Sequence, residues 1–444
     1  MSKKKISVVF AVIFSLIIGL GGGLLISHYR DQLPFLNTLF KQPMVEEEKQ
    51  DPYLAFLQEI RQIILDNYWD KLDESRLVKL HVLAIEKLTG TTLGDQIENY
   101  ASLDQKILDL LNEYSEEELK QQFSTQLADL VLSNLEPYGR SRLYSEQLEQ
   151  DLVERVSNID PEADHYQALG VEENASSEEI DQAYETQQQT LVADKSPEAQ
   201  VKLAQVEQAH QTLAVEENRQ RYDEAGVNPT MEWRILNPEV FYLHIKQFSP
   251  TTVQELAEVT QKVDDRGEEL DSLILDLRGN IGGAIDGLPY FLGPFIGQNQ
   301  YAYQFVQQGE ITDYKTRSGW LPSLARYKKI VVLIDNQVQS TAEVMASVLK
   351  KYNVGVLVGT PTMGWGTVER VFSLENQISE SEKYSVFLVH HLTLREDGSI
   401  IEGNGVAPLI NVQDVAWQKQ LEGYFADSAI VAAVVEQFGF KLEN

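Results

Sequence analysis

The sequence predicts an α/β core that follows a largely helical region and an inserted all-α module, with a transmembrane helix at the start of the chain. Three observations support this prediction. The chain begins with a long uncharged apolar run; residues 52–156 have apolar side chains at helical spacing; and residues 233–412 alternate strand-like and helix-like segments. At 444 residues, the chain is long enough for two or three domains.

Composition narrows the function classes. The net charge is −31, which argues against a surface that binds nucleic acid or an anionic membrane, because either would need clustered Lys and Arg. The chain has no cysteine, so disulfides, thiolate metal sites and cysteine nucleophiles are excluded. No metal site and no cofactor are predicted.

The N-terminal segment predicts a single membrane anchor. Lys3, Lys4 and Lys5 precede 21 residues without a charge, enough to cross about 30 Å of hydrocarbon. The lysines should stay in the cytoplasm, so the bulk of the chain is expected to be periplasmic or extracytoplasmic. We therefore predict a cytoplasmic tip (1–5), a transmembrane helix (6–27) in the cytoplasmic membrane and a polar stalk (28–52). A cleaved signal peptide is the alternative, but no clear small-x-small cleavage site follows the run.

The next region, 53–160, is predicted to be helical. One helix face is formed by Leu54, Leu57, Ile60, Ile63 and Ile64. Further along, residues 231–444 are predicted to form the α/β core. Strands are expected at Val240–Ile245, and as continuous apolar runs at 273–277, 330–334 and 354–358; helices are expected at 251–263 and around 344–349.

Three short motifs in this core carry a family resemblance. They read LDLRGNIGG at 275–283, QSTAE at 339–343 and VGTPTMGWGTV at 358–368. Together they resemble the carboxyl-terminal processing (tail-specific) serine peptidases, whose motifs are L-D-L-R-x-N-x-G-G, S-A-S-E and V-G-x-x-T-F-G-K-G-x-V. The segment Leu135–Arg140 also resembles the L-D-P-x-S-R stretch of that family. The resemblance implies a ClpP/crotonase-like fold for the core.

The resemblance also assigns site residues. Ser340 falls on the nucleophile, and Trp365 replaces the Lys that serves as general base. Oxyanion donors are implied at the Thr341 amide and at Gly282 or Gly283. An indole N–H is a donor only, so Trp365 cannot accept the serine proton. Ser340 has a second interpretation, that of a small residue capping a strand-to-helix turn.

Other residues are weaker candidates for the base. The position 11 residues after the nucleophile holds Lys351, which we place with Lys350 at a solvated helix end; Arg278 is interpreted as structural. Each candidate histidine is more readily explained as structural than as catalytic; these are His165, His210, His244, His390 and His391.

Residues 161–230 resemble a J-domain. YQALGV begins at Tyr166, a helix with a possible capping box begins near Ser176, and RQRYDEAG ends at Gly226. Active J-domains carry His-Pro-Asp in the loop after the second helix, whereas this chain has Val192, Ala193 and Asp194. The preceding helix also lacks the positive charge that would steer an acidic chaperone. A packing or docking module is therefore favoured over a co-chaperone.

The leading hypothesis is a membrane-anchored, catalytically impaired homologue of these peptidases that binds peptides or acts as a scaffold. Its expected partners are unfolded or C-terminal polypeptide segments of exported proteins, the membrane, and a protein bound through the J-like module; no nucleic acid is expected. One alternative is an active endopeptidase that uses Ser340 with a non-standard base. The other is a J-type co-chaperone.

Overall fold

The computed structural model describes residues 50–94, 97–267, 269–395 and 397–440. The predicted anchor (6–27) and the stalk up to residue 49 lie outside these ranges. Within them, no helix combines the length and apolar character needed to cross a bilayer.

The N-terminal region is a bundle of four helices: α1 (Pro52–Asn67), α2 (Glu74–Thr89), α3 (Tyr100–Glu113) and α4 (Glu117–Ser133). Side-chain caps begin three of them: Asp51, Asp73 and Asn99 each accept backbone N–H groups of the first turn. Most of the predicted apolar face of α1 is buried: Leu54, Leu57, Ile60 and Ile64 are buried, and Ile63 is half-buried. The helical prediction misses one strand, β1 (Arg142–Ser145), which pairs with a strand about 240 residues later.

Helix α5 (Glu146–Ser157) leads from β1 into the J-like module. The module consists of α6 (His165–Leu169), α7 (Ser177–Ala193), α8 (Pro197–Leu213) and α9 (Glu216–Ala225). Ser176 caps α7, and Glu179 completes the predicted capping box. The RQRYDEAG motif at the end of the module has a structural role, because Arg219 donates to the Tyr166 hydroxyl and to the Ala175 carbonyl.

The α/β core contains two sheets. The strands of the first are β2 (Met231–Asn237), β3 (Val240–Ile245), β4 (Ser272–Asp276), β7 (Lys329–Ile334), β8 (Val356–Gly359) and β11 (Ile410–Asn411). They have the order β11-β8-β7-β4-β3-β2, and all neighbouring strands are parallel except β2 and β3. Strand β4 is wholly buried, as expected for a parallel strand that is covered on both faces.

The second sheet is antiparallel and is organised around β10 (Tyr384–Leu394). Its other strands in the core are β5 (Tyr301–Gln307), β6 (Glu310–Lys315) and β9 (Thr367–Ser373). Strand β10 pairs with β1, β5 and β9. Because β1 belongs to this sheet, the helical region and the core share a single sheet and one hydrophobic cluster.

Six helices complete the core as the structure describes it: α10 (Thr252–Asp265), α11 (Leu288–Ile296), α12 (Pro322–Ala325), α13 (Thr341–Lys351), and the C-terminal pair α14 (Trp417–Tyr424) and α15 (Ser428–Gln437). Helix α13 is buried along nearly its whole length. It therefore fixes the position of the residue that precedes it, Ser340.

Candidate active site

Ser340 occupies the turn between β7 and α13 in a strained conformation. Its φ is +52° and its ψ is −124°, values that a residue with a Cβ rarely adopts. Such a conformation costs of order 1–3 kcal/mol and persists only where the surroundings impose it. Ser340 is also the N-cap residue of α13, so the position is compatible with both interpretations of this serine.

Gly282 and Gly283 bring a second loop against this turn. A Cβ on Gly282 would lie 2.7 Å from the Cβ of Ser340, and one on Gly283 would lie 2.0 Å from the carbonyl oxygen of Phe248. Both glycines have positive φ, +92° and +130°. Only glycine allows the LDLRGNIGG loop to approach so closely.

The two glycines predicted as oxyanion donors differ in whether their N–H groups are already hydrogen-bonded. The Gly282 N–H already donates to the Asn280 side chain, at 2.8 Å. Among the described residues, no acceptor is found for the amides of Gly283 and Thr341. Of the predicted donors, Thr341 and Gly283 are therefore the pair whose N–H groups remain open.

A buried carboxylate joins the Ser340 turn to the loop that carries Trp365. Glu343 is fully inaccessible and accepts the backbone N–H groups of Ser340 (3.1 Å), Gly364 (2.7 Å) and Trp365 (2.7 Å), and the hydroxyl of Thr362. Burial raises the pKa of Glu343, and the four hydrogen bonds act against that shift. This clamp keeps the backbone of both motifs in place.

Trp365 lines the same cleft as Ser340. The guanidinium carbon of Arg140 lies 3.3 Å from the centre of its ring. Glu402 pairs with Arg140 at 3.1 Å and accepts the Gly366 N–H at 2.8 Å. The indole is thus held on one face by a cation, and the same cation is paired with Glu402.

The pKa of the Glu369 carboxyl, which also lines the cleft, is shifted upward. Burial raises the pKa of this carboxyl, whereas the Thr367 hydroxyl, the Trp365 indole and the charge of Arg140 act in the opposite direction. The Thr367 hydroxyl donates a hydrogen bond to this carboxyl.

Ser340 and Trp365 open into a cleft of about 550 Å³. Its walls come from the chain segments 139–156, 281–283 and 339–340, together with single residues from the core. Among the described residues, neither a lysine nor a histidine lines this cleft. Its ionisable lining consists of three arginines, Tyr144 and Glu369.

The alternative bases all lie elsewhere. His165 bonds Asn228, and His210 pairs with Asp181 inside the J-like module. His244 bonds the Arg278 carbonyl at 3.0 Å.

His390 and His391 contact each other on β10, and burial lowers the pKa of each to about 4. Lys351 ends α13, with its ammonium 4.6 Å from the Tyr301 ring centre, and Lys350 bonds the Ala407 carbonyl. Arg278 pairs with Asp276 beneath Phe438, in agreement with the structural role predicted for it.

The loop predicted to be degenerate in the J-like module ends a helix. Val192 and Ala193 are the last residues of α7, and the side chain of Asp194 accepts the Ser196 N–H at 2.8 Å. None of these residues lines the Ser340 cleft.

The roles of the acidic residues near Trp365 were not predicted from the sequence. Glu343 follows Ser340 by three positions, the spacing of a capping box, and this signal could have identified it. Nothing in the local sequence marks Glu369 or Glu402, because their roles depend on contacts with distant residues.

The described site can be compared with known proteins. Residues 239–412 match the model of Peptidase family S41, and residues 164–223 match that of the DnaJ domain. The two resemblances predicted from the sequence motifs are therefore confirmed.

Among curated relatives, the tail-specific protease of Haemophilus influenzae is 22% identical over 82% of this chain and 52% of its own length. The carboxy-terminal processing protease CtpA of Bacillus subtilis is 27% identical over 38% of this chain and 34% of its own length. The corresponding protease of Bartonella bacilliformis is 25% identical over 42% of this chain and 41% of its own length. The chain thus spans about a third to a half of the length of these relatives.

Solved structures include the photosystem II D1 C-terminal processing protease, with a TM-score of 0.45 at 13% identity, covering 82% of this chain and 93% of the other. A putative S41 protease from Bacteroides fragilis has a TM-score of 0.35 at 20% identity, covering 48% of this chain and 59% of the other.

Proposed function

We propose that this chain is a membrane-anchored, catalytically impaired homologue of the carboxyl-terminal processing peptidases that binds polypeptide in the Ser340 cleft. The observation that carries the proposal is Trp365 at the position of the base, in a cleft whose described lining has neither lysine nor histidine. Without an acceptor for its proton, the serine hydroxyl is a poor nucleophile. Removal of the base from a serine peptidase such as subtilisin lowers turnover by about 10⁶.

The rest of the site supports binding. The cleft keeps open N–H groups at Thr341 and Gly283, and apolar side chains of α5 form one of its walls. Buried backbone donors and apolar pockets are the features by which clefts hold extended peptides. The site is therefore suited to retain a polypeptide that it does not cleave.

One observation favours the alternative of an active peptidase with an unusual base. Glu369 is the only carboxylic acid that lines the described cleft, and burial raises its pKa. A raised pKa makes a carboxylate a stronger base at neutral pH. Against this, the Thr367 hydroxyl already donates to that carboxyl. In this alternative, Glu369→Gln abolishes any hydrolysis that depends on Ser340.

Two further parts of the proposal concern location and partners. The apolar run 6–26 behind three lysines supports an uncleaved anchor, with the folded part on the extracytoplasmic side. Resistance of the full-length chain to extraction by alkaline carbonate is the expected result, and release into the soluble fraction would contradict it. The J-like module would serve docking rather than chaperone stimulation, since Val192 and Ala193 stand where His and Pro are needed.

The activity test uses a serine-reactive fluorophosphonate. The full-length chain and its Ser340→Ala variant are expected to show the same negligible labelling, with trypsin as the labelled control. Labelling of the wild type that disappears in Ser340→Ala would refute catalytic impairment.

The binding test uses a fluorescent, permanently unfolded polypeptide and two variants of α5. Leu148 lines the cleft and is 46% exposed, whereas Val153 is 53% exposed and does not line it. Leu148→Asp is expected to weaken binding, and Val153→Asp, which adds the same charge to the same helix, is expected to leave it unchanged. Equal effects of the two variants would contradict the proposal that the polypeptide binds in the Ser340 cleft.

A further inference from the structure

The exposed face of helix α2 carries cations, although the chain as a whole has a net charge of −31. Arg76, Lys79, Leu83 and Lys87 have the spacing i, i+3, i+7 and i+11, and all four are exposed. Residues at this spacing share one helix face. Net charge is a sum over the chain, so a local cluster of this kind attracts anions even on an acidic protein.

The cations of this face differ in whether they already have partners. Arg76 has two acidic partners, at 3.2 and 3.7 Å. Lys79 and Lys87 form no ion pair with any residue that the structure describes. Glu86, the acid that precedes Lys87, accepts a backbone N–H of the following loop at 2.7 Å. The two lysines are therefore the cations of α2 that remain available to an anionic partner.

An apolar side chain lies between the two lysines. Leu83 is one helical turn from each of them and is 61% exposed, whereas Leu77 and Ile85, on the other side of α2, are inaccessible in the bundle. On a bilayer, such a leucine enters the boundary between headgroups and acyl chains, and lysines beside it extend their ammonium groups to the lipid phosphates. The face thus combines the two side-chain types that hold a helix on an anionic lipid surface.

The position of α2 in the chain also favours contact with a bilayer. Only residues 28–49 separate the predicted anchor from the described part of the chain, and even fully extended they reach about 75 Å. Helix α2 belongs to the first helical bundle that follows them. A tethered surface meets the lipid at a high effective concentration, so that a weak attraction is sufficient for docking.

We infer that the face of α2 formed by Lys79, Leu83 and Lys87 docks on an anionic phospholipid surface. This inference rests on the membrane anchor of the proposed function, and it goes beyond the anchor because it assigns a second membrane contact to the folded part of the chain. Each lysine beside an anionic leaflet strengthens binding about fivefold. The leucine adds the burial of its apolar side chain.

The test makes use of the absence of cysteine from the chain. A single cysteine introduced by Leu83→Cys is labelled with an environment-sensitive fluorophore, and the full-length chain is placed in lipid nanodiscs. One set of discs contains phosphatidylcholine alone, and the other contains equal parts of phosphatidylcholine and phosphatidylglycerol. Quenching by neutral acrylamide reports the fraction of label that lipid shields. Shielding is expected in the anionic discs alone, and it is expected to be lost at high salt, which screens exposed charges.

Matched controls accompany the label and the lysines. Val201→Cys, on α8, places the same label at a residue that is 62% exposed, and this label is expected to stay accessible to acrylamide in both kinds of disc. Lys79→Gln combined with Lys87→Gln is expected to weaken the shielding at Leu83→Cys roughly twentyfold, at about fivefold for each lysine. Lys202→Gln, which removes an exposed lysine from the J-like module, is expected to leave the shielding unchanged.

The outcomes separate the possible partners of this face. Shielding that requires both phosphatidylglycerol and the two lysines supports the inference. Equal shielding in the two kinds of disc, shielding that survives the loss of both lysines, or no shielding in either disc overturns it while the proposed anchor stands. Shielding that develops in lipid-free detergent solution as the protein concentration rises assigns the face to a second copy of the chain and also overturns it. Release of the chain from the discs by alkaline carbonate overturns the anchor, and with it this inference.

Discussion

The guanidinium carbon of Arg140 lies 3.3 Å from the centre of the Trp365 ring. The two residues are 225 positions apart in the chain: Arg140 lies between α4 and β1, and Trp365 occupies the loop of the third motif. A cation over an indole face is attracted by the negative charge of the ring face. The contact therefore holds the Trp365 ring in a fixed position in the cleft.

Restoring a base at this position tests whether the rest of the site is intact. Trp365→Lys is expected to produce Ser340-dependent cleavage of an unstructured peptide, about tenfold or more above background. Arg140 and the burial of the loop act to lower the pKa of the new lysine, whereas the Glu369 carboxyl acts to raise it; the restored activity depends on the neutral amine, which accepts the serine proton. Peptide cleavage is followed by mass spectrometry.

Two controls accompany this experiment. Trp365→Ala opens the same space without a base, and Trp365→Lys combined with Ser340→Ala lacks the nucleophile; both should be inactive. If Trp365→Lys is inactive as well, the oxyanion geometry at Thr341 and Gly283 has also been lost.

Glu343 should be needed for stability as well as for the shape of the site. Replacement by Gln leaves a buried amide facing backbone N–H groups that it satisfies less well, including those of Ser340 and Trp365. We expect Glu343→Gln to lower the free energy of unfolding by about 2–4 kcal/mol, as measured by urea denaturation. Glu422→Gln, at an exposed position, is the control and should change stability by less than about 0.5 kcal/mol.

The close approach of the Gly283 loop gives a third prediction. Gly283→Ala would place a Cβ 2.0 Å from the Phe248 carbonyl oxygen, so the loop must move. The expected loss is about 3 kcal/mol in urea unfolding, from the clash and the unfavourable φ together. Gly309→Ala separates the two causes, because Gly309 also has positive φ (+86°) but nothing lies within 4 Å of its added Cβ. That control should cost about 1 kcal/mol, and an equal loss in both variants would contradict the close approach.

Acid should destabilise the helical region through His81. Complete burial lowers its pKa from 6.5 to about 4, so the folded state holds the neutral form while the unfolded state takes up a proton between these values. Stability is therefore lost as the pH falls from 6.5 towards 4, by about 2 kcal/mol between pH 7.5 and pH 5.

His81→Leu should remove most of this pH dependence. The Leu77 carbonyl, which the His81 ring contacts at 2.8 Å, still accepts a backbone hydrogen bond of the helix in the variant. Urea midpoints measured at both pH values provide the comparison. A slope unchanged by the substitution would assign the acid sensitivity to other groups, such as His390 and His391.

The J-like module is held to the core by ion pairs that can be exchanged. Arg221 of α9 pairs with Glu258 of α10, and both side chains are largely buried. Arg221→Glu should speed hydrogen exchange of the 216–225 helix, and adding Glu258→Arg should restore protection, with a coupling energy of about 1 kcal/mol. Lys202→Glu, at an exposed position of the same module, should have no effect.

Much of the fold could be predicted from local patterns. The strand predicted at Val240–Ile245 matches β3, and the apolar runs at 273–277 and 330–334 overlap β4 and β7. Strand β1 was missed because it has only four residues and its partner, β10, lies far along the chain. Short strands of this kind are stabilised by pairing rather than by their own propensity.

The sequence by itself determined that the chain carries motifs resembling those of the peptidases, with Trp365 where the resemblance expects a lysine, and a J-like module without His-Pro-Asp. Both follow from residue identity at fixed spacing, which needs no coordinates. Only the tertiary structure decided what surrounds Trp365: Arg140 on its ring, Glu369 in the same cleft, and Glu343 linking its loop to Ser340. Such contacts join distant positions of the chain, and they exist only once the packed helices and sheets bring those positions together.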